Sequence, residues 1–91
     1  HGVSPLLLHL DVSQDESCAA FVQGALQKFG RIDALINCAG TTRFIPHTDL
    51  DALTPEEFHR TYDVNTVGLY RMTRACAPAL KASGRGSVVN I

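Results

Sequence analysis

The alternation of short apolar runs with longer helical patterns constrains this chain more than any other feature. Residues 6–10 form a brief run, broken only by His9 and closed by Asp11. Ile32, Ala34, Leu35 and Ile36 make a second run, and residues 87–91 make a third that is rich in β-branched side chains. Short runs that are apolar without alternation suit strands buried on both faces of a parallel sheet. The stretches between them carry apolar residues at helical spacing. A strand–helix–strand–helix–strand order implies right-handed βαβ crossovers. The expected fold is α/β, part of a doubly wound parallel sheet with three strands and two connecting helices.

The helix boundaries are written in local signals. Ser13 followed by Glu16 forms a capping box, and Cys18, Val22, Leu26 and Phe29 then line one face. Gly30 ends this helix, with Lys28 in its last turn. Gly24, in its interior, weakens it by roughly 1 kcal/mol relative to Ala. A polar loop over residues 41–53, His47 among them, leads to a second capping box, Thr54-Pro55-Glu56-Glu57, with Pro at the first helical position. The pattern continues to about residue 81, with Leu69, Met72, Cys76 and Leu80 on one face. Asp63 and Asn65 are poor helix formers in its interior, and a kink or break is expected there. Ser83-Gly84-Arg85-Gly86 reads as a turn.

Several function classes are excluded. The 91 residues make at most one domain, with a marginal core. A net charge of −1 from scattered charges provides no footprint for nucleic acid or an anionic membrane. The longest apolar run, residues 5–8, is far below the ~20 residues of a membrane span, and the start has no secretory-signal pattern. Cys18, Cys38 and Cys76 are widely spaced, form no CxxC pair, and fit reduced thiols in a cytoplasmic protein. Asp11-Val12-Ser13-Gln14-Asp15 starts like a calcium loop, but Glu16 replaces the required Gly and Val22 the bidentate Glu. His9, His47 and His59 lack metal-ligand spacing, and His59 is expected to face solvent. Ser87 opens a strand, not a nucleophile elbow, and there is no glycine-rich phosphate cradle. His1 and Ile91 read as cut ends. Residues 1–91 are therefore expected to be the central part of a single domain, truncated at both ends.

In open parallel sheets ligands bind outside the carboxyl ends of the strands, so the residues closing each run carry the chemistry. Asp11 could accept a hydrogen bond from the exocyclic amine of an adenine, with Val12 beside the ring. An Asp before a helix is equally a common turn former. Asn37 can donate and accept, which suits it to tie strand ends together or to touch a ribose. Ala39 and Gly40 are small enough for backbone and ligand to approach closely. Asn37-Cys38-Ala39-Gly40 also reads as a plain strand-to-loop turn. Asn65 can bend its helix by competing for backbone hydrogen bonds, freeing a main-chain carbonyl for an ordered water. The plainer readings are a solvent-facing Asn or the N-cap of a second helical segment.

Taken together, Asp11-Val12, the run from Phe29-Gly30-Arg31-Ile32-Asp33 to Asn37-Cys38-Ala39-Gly40, Val64-Asn65-Thr66-Val67-Gly68 and Gly86-Ser87-Val88-Val89-Asn90-Ile91 resemble the short-chain dehydrogenases/reductases, in that family's order and spacing. The resemblance covers nearly the whole chain and implies a Rossmann-like fold of which these are the third, fourth and fifth strands. It implies that Asp11 binds the adenine amine with the Val12 backbone nearby. Asn37 would stabilise the sheet and line the cofactor site, and Ala39 and Gly40 would lie against the adenosine ribose. Cys38 departs from the family's second Asn, which reads as a packing change. Asn65 matches the Asn of the catalytic tetrad, whose distorted helix holds a water relaying protons to a Lys, and Ile91 would lie near the nicotinamide. The implied reaction is hydride transfer between NAD or NADP and a small-molecule carbonyl or alcohol substrate.

The family's catalytic Ser, Tyr and Lys would fall beyond Ile91, and its Gly-rich turn before His1. Tyr62 and Tyr70 are no substitutes, since neither has a Lys four residues later. With the third strand separated from the fourth by two others, the 91-mer alone is expected to be poorly folded and inactive. A non-catalytic nucleotide-binding scaffold is the alternative; an unrelated flavodoxin-like regulator would need an acidic cluster where only Asp11 is acidic. The resemblance also implies a homodimer or homotetramer packed through the long helix. Tyr70, Arg71, Arg74 and Leu80 are candidate interface residues, against a solvated face as the default.

Overall fold

Helix α1 spans Asp15–Phe29 in a computed structural model that describes residues 5–42 and 48–91. His1, His47 and the middle of the 41–53 loop lie outside the described residues. The expected Ser13 capping box does not form: Gln14 is the N-cap and no side chain caps it. Ser13 is committed elsewhere, its Oγ donating to Asp11 Oδ1 at 2.6 Å and its N–H to the same oxygen at 3.0 Å. Asp15 and Glu16 still occupy the first turn, where the helix dipole favours negative charge. At the other end Gly30 has φ 79°, and its N–H reaches Leu26 O at 2.8 Å, a left-handed closure that glycine adopts without steric cost. Cys18 and Val22 are buried, but Phe29 at the end of the same stripe is 47% exposed. It stands over an apolar cleft of about 280 Å³ that it lines with Phe21, Ile32 and Leu35.

Residues 6–10 form no strand, contrary to the expectation of a third strand buried on both faces. Leu7 is 90% exposed, and of this run Leu10 is the residue packed against the core. A strand exists through its ladder, and the sheet among the described residues has two members, neither of them this segment. The segment instead crosses α1. A Cβ at Gly24 would stand 2.6 Å from Leu8 Cδ1, the tip of a side chain lying over the helix.

Strands β1 (Ala34–Asn37) and β2 (Ser87–Asn90) pair in parallel, with Ala34 opposite Ser87 and Asn37 opposite Asn90. Bonds from Ser87 N–H to Asp33 O (3.0 Å) and from Ile91 N–H to Asn37 O (2.8 Å) extend the ladder at both ends. The parallel direction puts both carboxyl ends on one rim.

The second helical stretch has three parts. Helix α2 (Pro55–Tyr62) begins as its sequence predicts, with Thr54 Oγ1 accepting from Glu57 N–H at 3.3 Å. At Asp63–Val67 the backbone widens into a π turn, closed by Gly68 N–H on Asp63 O, and α3 (Gly68–Ser83) follows. The expected break thus takes the form of a widened turn within a continuous helical path. The core lies between α1 and α3: Val12, Cys18, Val22, Met72, Cys76 and Leu80 are buried together. Leu80 therefore faces the core and not an outer interface. Arg71 is also turned inward, at 17% side-chain exposure. Of the four candidate interface residues only Tyr70 and Arg74 remain exposed, the Arg74 guanidinium 5.3 Å from the Tyr70 ring.

Candidate functional site

Asp11 follows the crossing segment and is held from several directions. Its N–H donates to Ser17 Oγ at 2.8 Å, its carbonyl accepts from Gln14 N–H at 3.1 Å, and Oδ1 takes both Ser13 bonds. Oδ1 is thus the acceptor of a local turn. Among the described residues neither Asp11 Oδ2 nor the Val12 N–H makes a hydrogen bond. The Ser13 hydroxyl, then the Ser13 N–H, hold the Asp11 carboxyl below its ordinary pKa, with smaller help from His9 and Arg71. The carboxylate is exposed, whereas Val12 beside it is buried.

At the end of β1, Asn37 is 6% exposed and gives its amide Nδ2 to Asn90 Oδ1 at 2.9 Å. The two asparagines are register partners, so their side chains join the strand ends. Cys38, Ala39 and Gly40 emerge into solvent beyond them. Ile91, which ends the ladder, is 81% exposed.

Asn65 sits in the π turn and is neither solvent-facing nor a helix cap. Its Oδ1 accepts from Thr41 N–H at 2.7 Å while its Nδ2 donates to Thr41 O at 2.9 Å. Arg60 from α2 adds a bond from Nη1 to Thr41 Oγ1 at 2.9 Å. The residue after Asn37-Cys38-Ala39-Gly40 is therefore fixed by the π turn and the helix before it. The same turn meets Val12: a Cβ at Gly68 would lie 2.7 Å from Val12 Cγ2. Arg71, one helical turn on, donates from Nη1 to Val12 O at 3.1 Å and from Nη2 to Asp63 Oδ1 at 2.7 Å.

The π turn and the start of α3 thus hold both polar ends, Gly40-Thr41 through Asn65 of the turn, and Val12 through Gly68 and Arg71 of the helix. Thr41, Arg60 and Asn90 are parts of this arrangement that the sequence did not single out, and Arg71, a candidate interface residue by sequence, joins them. For Asn90 a signal existed, since parallel register places it opposite Asn37. For the others the partners lie far away along the chain. Among the described residues no group of His, Cys, Asp and Glu is placed to hold a metal, and no helix is long and apolar enough to cross a membrane.

Residues 2–91 match the short chain dehydrogenase family. The chain is 43% identical over 86 residues to a Streptomyces violaceoruber protein assigned as a ketoacyl reductase of the granaticin polyketide synthase, a match covering 94% of this chain and 34% of that protein. A crystal structure from Burkholderia xenovorans, assigned as a short-chain dehydrogenase/reductase, superposes with a TM-score of 0.83 at 49% identity, over 90% of this chain and 33% of that one. An alcohol dehydrogenase from the archaeon Thermococcus sibiricus, solved with 5-hydroxy-NADP, gives a TM-score of 0.77 at 36% identity, over 91% and 34% of the two chains. The chain spans about a third of the length of the relatives it matches.

Proposed function

Because the chain belongs to the short-chain dehydrogenase family, we propose that the whole protein carrying it is an NAD(P)-dependent oxidoreductase acting on a small-molecule carbonyl or alcohol. One observation carries this reading: the π turn and the first turn of α3 that continues it hold the Asn37-to-Gly40 end through Asn65 and the Asp11-Val12 end through Gly68 and Arg71. The cofactor would supply the hydride chemistry, while the protein supplies binding, orientation and electrostatics.

The residues present fit the adenosine half of such a cofactor. Among the described residues Asp11 Oδ2 is a free acceptor and the Val12 N–H a free donor on adjacent residues, matching the amine and ring nitrogen along one edge of adenine. Ala39 and Gly40 leave open space beyond the strand end for the ribose. Asn37 would act through the strands, holding the rim with Asn90, and Ile91 would border the nicotinamide. Asn65 would serve through its main chain. The wide turn interrupts the regular ladder and frees a carbonyl to hold a water for proton transfer, with its side chain locked on Thr41 so that the carbonyl keeps one direction.

The test is fluorescence titration of the whole protein with NADH and NADPH, joined to Asn65→Ala. Binding of a reduced nicotinamide cofactor, and in the variant retained binding with turnover down at least tenfold, are the expected results. Absence of binding to either cofactor would end the reading.

A further inference from the structure

We propose that Arg71 is a positioning residue for the adenine half of the cofactor, acting through the Val12 carbonyl. The proposal rests on the nucleotide-site reading above and concerns a residue outside the motifs that carry the family resemblance.

Its guanidinium is placed as a three-way clamp. Nη1 donates to Val12 O at 3.1 Å and, more weakly, to Asp63 O at 3.4 Å. Nη2 donates to Asp63 Oδ1 at 2.7 Å, and Nε lies 3.5 Å from Asp15 Oδ1. One planar group therefore touches the residue after Asp11, the first residue of the π turn and the first residue of α1. A guanidinium can bond several acceptors in fixed directions, which an ammonium cannot. Its side chain is 17% exposed, while the Asp63 and Asp15 carboxylates it meets are 37% and 60% exposed.

The consequence for Asp11-Val12 follows from what remains unbonded. Asp11 N–H, carbonyl and Oδ1 are already engaged. With the Val12 carbonyl held by Arg71, the groups of the dipeptide left free among the described residues are Asp11 Oδ2 and the Val12 N–H, the pair that suits adenine. The peptide plane following Val12 is fixed through that carbonyl, and Val12 is also pressed against Gly68. Releasing the carbonyl would remove the one side-chain bond that the Val12 backbone makes among the described residues.

The experiment uses the whole protein and two half-cofactors, AMP and nicotinamide mononucleotide, titrated by calorimetry. In Arg71→Met the Kd for AMP should rise about tenfold, the effect of losing one charge-assisted hydrogen bond, while that for nicotinamide mononucleotide changes less than twofold. Arg71→Lys, which keeps the charge and the apolar stem, should recover part of the AMP affinity and serves as the deciding variant if Arg71→Met does not fold. Arg74→Met removes the neighbouring contact to Asp15 without touching Val12 and should leave AMP binding unchanged. AMP affinity of wild-type strength in the folded Arg71 variants, or equal weakening of both half-cofactors, would overturn the role. Wild-type protein that binds no adenine nucleotide would overturn the underlying site reading, and this role with it.

Discussion

Asn65 and Thr41, 24 positions apart, exchange hydrogen bonds in both directions, side-chain Oδ1 taking the Thr41 N–H and side-chain Nδ2 giving to the Thr41 carbonyl. An amide fills this position as no charged or aliphatic side chain can. Asn65→Asp keeps the acceptor but faces the Thr41 carbonyl with a second oxygen. Asn65→Leu removes both bonds and leaves two backbone groups of a part-buried residue unmet. Each should destabilise the whole protein by about 1–3 kcal/mol in urea unfolding, with Asp losing more at pH 7 than at pH 3, where a protonated carboxyl can donate. Equal stability of wild type and Asn65→Leu would show that the exchange contributes nothing.

Gly68, where α3 follows the π turn, meets Val12. A methyl at position 68 would meet Val12 Cγ2 at 2.7 Å and Val12 Cβ at 3.1 Å. Alanine favours a helix over glycine by about 1 kcal/mol, but overpacking a rigid neighbour costs about 1–3 kcal/mol. Val12 cannot retreat readily, because Arg71 holds its carbonyl. Gly68→Ala should therefore lower stability, and Val12→Ala in the same chain should restore part of it. A double-mutant cycle checks this: strictly additive losses would mean the two residues do not press on each other.

Gly24 and Gly86 look alike by distance and should behave oppositely. A Cβ at Gly24 meets Leu8 Cδ1 at 2.6 Å, the tip of a largely exposed side chain that can rotate away. At Gly86 it meets Leu80 O at 2.7 Å and Leu80 C at 3.0 Å, the backbone of α3. Gly24→Ala should be neutral or stabilising by up to about 1 kcal/mol, whereas Gly86→Ala should cost about 1–3 kcal/mol. Chemical denaturation of the two variants side by side decides it.

What could be read from the sequence follows the range of the interactions. Thr54, Pro55 and Glu57 sit within four residues, and their cap forms as written. Gly30 likewise closes α1 locally. The poor helix formers Asp63 and Asn65 marked the break by residue type alone, since their side chains bond Arg71 and Thr41 and not the neighbouring helix backbone. Ser13 misled because its hydroxyl had two possible partners, and Asp11 won over the helix N-terminus. Residues 6–10 pair with no strand among the described residues, and a strand depends on a neighbour that no local pattern reports. Arg71 reaches Val12 across 59 positions, and nothing in either residue's surroundings along the chain announces the contact. The motifs at the rim were legible, but the clamp that joins them was not.

The Asp11 carboxylate should stay charged well into acid. Its pKa lies below the ordinary 3.8, with the Ser13 hydroxyl as the largest cause. For an acid lowered in the folded state, the associated stabilisation is present above 3.8 and is lost as pH falls through the lowered folded value. AMP binding should therefore show no titration of Asp11 between pH 5 and pH 8. Ser13→Ala should move the carboxyl back toward its ordinary range, read directly by carbon-detected NMR. An unchanged Asp11 titration in that variant would contradict the bond.

Three thiols in distinct surroundings offer a check that needs no substrate. Cys18 and Cys76 are buried in the core, and burial pushes both pKa values above the ordinary 9.0. Thiolates are the reactive form, so both should react slowly with an alkylating reagent. Cys38 is exposed and stands between Asn37 and Ala39, at the rim assigned to the adenosine ribose. Mass spectrometry of timed iodoacetamide labelling should find the Cys38 peptide modified at least tenfold faster than the other two, because it needs no opening of the core. Saturating NADH or NADPH should slow Cys38 alone, since a ribose lying against Ala39 and Gly40 would screen the sulfur. Fast labelling that a bound cofactor leaves unchanged would separate Cys38 from the nucleotide and move the ribose to another part of the rim.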